Sequence, residues 1–98
     1  MSHWIHPGAE AELGDAAVYY AAHANHSIAL AFLLEYERVR DLLIQNQRRG
    51  PYGDHGMRVY HFDRFPYSIV YEEDAVNGPQ IFAVAHQSRE PGYWTERV

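Results

Sequence analysis

The sequence predicts an α+β fold in which an N-terminal extended segment and a two-helix hairpin pack on a small antiparallel β-sheet. Two observations carry that prediction. Between residues 7 and 45 the apolar residues recur at three- and four-residue steps, the period of an amphipathic helix. Between residues 57 and 87, short runs rich in β-branched and aromatic residues alternate with turn chemistry, as in a meander. A helix pair and a sheet each carry one apolar side, and burying one against the other is the stable solution. At 98 residues the chain is expected to be one domain, 1–98, and an apolar fraction of 47% excludes intrinsic disorder.

His3 to His6 reads as the extended segment, with Trp4 and Ile5 inside it. Pro7 suits a first helical position, where a missing N–H costs nothing and φ is already set. Ala9, Leu13, Ala16, Ala17 and Tyr20 then follow the helical period to about Ala24. Glu10, Glu12 and Asp15 fall in the early turns, where negative charge interacts well with the helix dipole. Gly14 is a mild cost there and is expected to permit close packing.

Asn25 and Ser27, both competent caps, mark a break before a second helix from about Ile28 to Gln45. On a helical wheel Ile28, Phe32, Tyr36, Val39, Leu42 and Leu43 form one stripe. Leu30 and Leu34 fall on the opposite side, a candidate partner-binding patch. Residues 48–56, dense in Gly, Pro and Asp, form a loop.

Strands are expected over Met57–Phe62, Tyr67–Glu73 and Gln80–Gln87. Pro66, which cannot donate to a ladder, sets the first turn, and Asn77-Gly78 is the hairpin signal of the second. Strict alternation along the last strand puts Ile81, Ala83 and Ala85 on one face, where small side chains would admit the helices. Phe82, Val84 and His86 then form a partly apolar surface on the other, open to a partner. Tyr93 and Trp94 in the tail are expected to pack back onto the domain.

Composition narrows the function. The net charge is −5 and all eight basic residues are arginine, which argues against a chain that grips nucleic acid over a broad surface. The longest apolar run, Ile28 to Leu34, is too short to span a bilayer, and the N-terminus lacks the pattern of a signal peptide. Without cysteine there is no disulfide framework or thiolate metal site. A cytoplasmic protein without membrane partners is expected. His3 and His6 would project to opposite faces, and a helix break separates His23 from His26, so no metal site is expected. No P-loop, dinucleotide turn or nucleophile elbow is present, and no cofactor is expected.

The order and spacing of several short motifs resemble the RelE/ParE superfamily of bacterial type II toxin–antitoxin toxins. They are Pro7-Gly8-Ala9-Glu10-Ala11-Glu12-Leu13, Tyr19-Tyr20, the lone Arg58, and Phe65-Pro66-Tyr67-Ser68-Ile69-Val70-Tyr71. The match continues through Ala83-Val84-Ala85-His86-Gln87-Ser88-Arg89-Glu90-Pro91-Gly92-Tyr93-Trp94 and Arg97. The resemblance implies a toxin neutralised by a cognate antitoxin in a hetero-oligomer. The RelE-like branch cuts mRNA in the ribosomal A site, whereas the ParE-like branch poisons DNA gyrase and is no nuclease. Ser68 stands where the cutting branch often has arginine, and the lysines that hold its message have no counterpart here. Both departures favour the ParE-like branch, in which Arg58, Leu30, Leu34, Phe82, Val84, Trp94 and Arg97 are the candidate contact residues. If the chain is RelE-like instead, His61, His86, Arg89 and Tyr93 are the candidate catalysts. They would orient a 2′-hydroxyl, stabilise charge on the phosphate and protonate the leaving oxygen. A non-toxic binding module of the same fold is the third expectation.

Overall fold

A computed structural model describes residues 2–53 and 55–98. The elements run β1 (Trp4–Ile5), α1 (Pro7–His23), α2 (His26–Gln45), β2 (Arg58–His61), β3 (Tyr67–Glu72) and β4 (Gln80–His86), followed by a 3-10 turn at Thr95–Arg97. The two helices lie on a four-stranded sheet of order β1-β4-β3-β2. The α+β architecture is the expected one, with strand bounds displaced by a residue or so. Asp54 of the expected loop lies outside the described residues.

Local chemistry sets the boundaries. The His6 ring accepts from Gly8 N at 2.9 Å and Pro7 opens α1. Asn25 accepts from Ile28 N at 2.9 Å and caps α2. In the turn from β3 to β4, Asp74 Oδ1 accepts from the N–H groups of Val76 and Asn77, and Gly78 takes φ +80°. The hairpin is therefore closed by an aspartate-centred loop, and Asn77-Gly78 does not form a two-residue turn.

The sheet departs from the expected one in two ways. It is mixed, because the N-terminal segment pairs parallel with β4: Trp4 N donates to Pro79 O at 3.0 Å and His6 N to Ile81 O at 2.8 Å. The helices, followed by β2 and β3, supply the long connection that parallel pairing requires. Moreover, β4 carries a bulge. Val70 pairs with Ala83 but Tyr71 pairs with Ile81, so Phe82 is the extra residue. The bulge breaks the alternation and reverses the expected faces beyond it. Ile81 and Val84 both pack under the helices, while Ala83 and Ala85 join Val70 on the far side. Val84 is thereby taken off the surface, with 1% of its area exposed.

The core between helices and sheet is built on Phe32, Tyr36, Val39 and Leu43 of α2, Ala9 and Ala16 of α1, and Ile69, Tyr71, Ile81 and Val84 of the sheet. Phe32 sits at its aromatic centre, 5.0 Å from the Tyr67 ring and 5.4 Å from Phe65. Ala29 rather than Ile28 completes the buried stripe of α2. Gly8 is one of several glycines at a close approach: an added Cβ would lie 2.7 Å from Arg97 Cζ there and 2.7 Å from Val59 O at Gly50, whereas Gly14 faces open space.

Candidate functional site

The far side of the sheet is covered by the segment after β4. Trp94 is buried against Met57, Val70, Ala83 and Ala85, flanked by Val59, Phe82 and Tyr93. The cover is incomplete. Between it and the strands lies a cleft of about 370 Å³ whose lining includes Val59, His61, Ser68, Ala85, Arg89 and Trp94. Ser68, where a larger residue would fill the floor, hydrogen-bonds through Oγ with His61 Nδ1 at 2.5 Å across the β2–β3 pair.

The candidate catalysts His61, His86, Arg89 and Tyr93 all line this cleft. Their chemistry is constrained. His86 Nδ1 is taken up by Ser88, whose hydroxyl lies 2.7 Å away and whose N–H donates at 3.0 Å, and its ring stands edge-on to Tyr67 at 5.0 Å. The Arg89 guanidinium lies 3.9 Å from the Tyr93 ring centroid and 3.5 Å from Glu12. The Tyr93 hydroxyl is buried without a partner in hydrogen-bond geometry. Burial, reinforced by the nearby Glu12 carboxylate, pushes its pKa well above the ordinary phenol range. A phenol so placed is a poor proton donor or acceptor at neutral pH.

Two further candidates hold the fold together. Arg97 makes a fork with Glu12 at 3.0 and 3.1 Å and donates to Phe82 O at 2.9 Å; Glu12 also accepts from Val84 N at 3.1 Å. Because β1 covers β4 only at Gln80 and Ile81, this pair occupies the strand edge that β1 leaves open. Arg58 lies 2.6 Å from Glu73, donates to Gly50 O at 2.7 Å and sits 4.2 Å from the Tyr52 ring centroid. Glu12 is the residue that sequence reasoning assigned only to the helix dipole. Its one legible signal was an acidic residue on the same helical side as Ala9 and Ala16.

Arg38, Arg40, Arg48, Arg58, Arg89 and Arg97 each lie within 3.5 Å of a carboxylate. Among the described residues only Arg49 and Arg64 have no such partner. Likewise, among the described residues no three His, Asp or Glu side chains converge as metal ligands, and no helix is long and apolar enough to cross a membrane. On the outer side of α2, Leu30 and Leu34 are 57% and 54% exposed, one turn apart. Tyr19 of α1 is also exposed, as is Val18, which sequence reasoning did not single out. Phe82 is half-buried and stands 5.4 Å from Trp4.

Residues 5–91 match the family model described as the ParE toxin of the type II toxin–antitoxin system parDE. Among solved structures, a chain of the chromosomal ParDE toxin–antitoxin system from P. aeruginosa superposes with a TM-score of 0.75 at 21% identity, covering 88% of this chain and 95% of that one. No curated protein matches the chain.

Proposed function

The chain belongs to the ParE toxin family of type II toxin–antitoxin systems, and from that premise we propose that it is held inactive by a cognate antitoxin and acts in the cytoplasm by binding a protein target such as DNA gyrase. The observation that carries this reading is the state of the arginines. Arg58 and Arg97 are turned to carboxylates of the same chain, which leaves little cationic surface for a phosphate backbone on a protein of net charge −5. The exposed Leu30 and Leu34 suit an antitoxin segment that covers α2, because the apolar area removed from water would drive association.

Induction of the chain alone in bacteria should arrest growth, and the purified protein should inhibit gyrase supercoiling. Normal growth with full supercoiling refutes the proposal. Co-expression with the antitoxin should restore growth, and Leu30→Glu with Leu34→Glu should abolish that rescue.

A second reading is favoured by one observation: His61, His86, Arg89 and Tyr93 converge on one cleft. As a RelE-like endoribonuclease the chain would cut translated messages in the ribosomal A site. Primer extension would reveal cuts that vanish in His86→Ala with Arg89→Ala, and uncut messages dismiss this reading.

A further inference from the structure

We infer that the groove on the far side of the sheet docks an acidic segment of the target protein, anchored by one aromatic or aliphatic side chain. The inference rests on the reading of the chain as a toxin that acts by protein contact. Three features of the groove point to this occupant.

The first is extent. The cleft beside Ser68 adjoins a second of about 410 Å³ that reaches Tyr52 and His55, and the two share Val59, His61, Pro91 and Trp94. Together they form a groove lined from Gln87 and Arg89 to Tyr52 and His55. The second is charge. On a chain of net charge −5, none of the described residues lining either cleft is Asp or Glu, while Arg89 lines the first. By contrast, the cleft beside α1 contains Glu12 and Asp15. The third is the floor. Half-buried Val59 and exposed Pro91 offer an apolar seat for an anchor.

Arg89 is the group that would read a carboxylate. Its side chain is 53% exposed, and its 3.5 Å link to Glu12 is long for an ion pair, so it can turn outward while still stacked on Tyr93. One arginine suits the isolated carboxylates of a peptide. A polynucleotide would instead bring a charge at every phosphate to a protein already negative. The groove also lies across the sheet from the outer face of α2, so it stays accessible when Leu30 and Leu34 are covered.

Fluorescence anisotropy with labelled peptides tests this on the purified full chain. The probe is acetyl-Asp-Glu-Phe-Asp-amide, compared with its Asn-Gln-Phe-Asn and Asp-Glu-Ala-Asp counterparts and with an oligouridylate. The acidic aromatic probe should bind at least about tenfold more tightly than any of the others. Arg89→Ala should lose about tenfold and Arg89→Lys, which keeps the charge but not the stack on Tyr93, should recover part of it, whereas Val76→Ser in the exposed turn before β4 should change nothing. No binding, equal binding of the uncharged peptide, tighter binding of the oligouridylate, or indifference to Arg89→Ala each overturns the inference. Probe binding in a chain that neither arrests growth nor inhibits gyrase would leave the groove standing and refute the toxin reading instead.

Discussion

The two faces of the sheet are closed in different ways. On the helix side, Phe32, Leu43, Ile69 and Ile81 are fully buried, and the buried Tyr71 hydroxyl is satisfied twice, donating to Gln47 O at 2.6 Å and accepting from Gly50 N at 3.0 Å. On the far side the strands offer Val70, Ala83 and Ala85, covered by Trp94 and flanked by Tyr93. There both the Tyr93 hydroxyl and the Trp94 indole N–H are buried without a partner. Unpaired buried polar groups carry a desolvation penalty of roughly 1–3 kcal/mol each. The contrast separates two tasks within one sheet. The large, fully paired face holds the fold, while the small, imperfectly paired face with its cleft is open to contact.

That contrast can be broken at several points. Phe32→Ala should have the largest effect, about 3–5 kcal/mol in urea unfolding, because the cavity would lie among the Tyr20, Phe62, Phe65 and Tyr67 rings. Arg97→Ala should follow at about 2–3 kcal/mol, since it leaves Glu12 partly buried beside Phe82 O; a double-mutant cycle with Glu12→Gln should return most of that cost as coupling. Next comes the pair of tyrosines. Tyr71→Phe should cost about 1–3 kcal/mol by stranding Gly50 N and Gln47 O, whereas Tyr93→Phe should fall within about 0.5 kcal/mol of wild type or raise stability. Equal costs for the two would refute the distinction between the faces.

Raising the pH should widen the gap between the two tyrosine variants. Burial raises the Tyr71 phenol, but the Gly50 N–H and Arg58 pull it back; burial and then Glu12 both raise Tyr93. For a group raised in the folded state, stability is fully present below the unfolded pKa of about 10 and is lost as the pH rises through the folded value. Unfolding followed upward from pH 9 should therefore show a shallower alkaline loss in Tyr93→Phe than in Tyr71→Phe.

Much of the framework was legible in the sequence. The helical stripe through Phe32, Tyr36, Val39 and Leu43, the break at Asn25 and the three meander strands all follow from local periodicity and turn chemistry, which a chain carries residue by residue. The face of each residue beyond Ile81 was not legible. A single bulged residue inverts everything after it, and Phe82 has no composition that marks it as the extra one. The partner of β1 was hidden too, because pairing across the whole chain leaves no local signature. For the same reason Arg58 and Arg97 read as free recognition arginines: their carboxylates, Glu73 and Glu12, lie 15 and 85 positions away. The candidate catalysts were found by residue type, and the structure adds that one of them, Tyr93, is a phenol with a buried, unpartnered hydroxyl and another, Arg89, is stacked on its ring.

The parallel pairing of Trp4–Ile5 with β4 has a consequence in time. On a ribosome the helical hairpin can form from its own local contacts, but β1 has no neighbour until residues 79–81 have been made. The edge beside it stays open longer still, until Arg97 meets Glu12. A segment made before the helices is therefore among the last to be placed. In that interval β4 offers an unpaired edge to any extended chain nearby, so the emerging polypeptide is most prone to wrong pairing just before its fold closes.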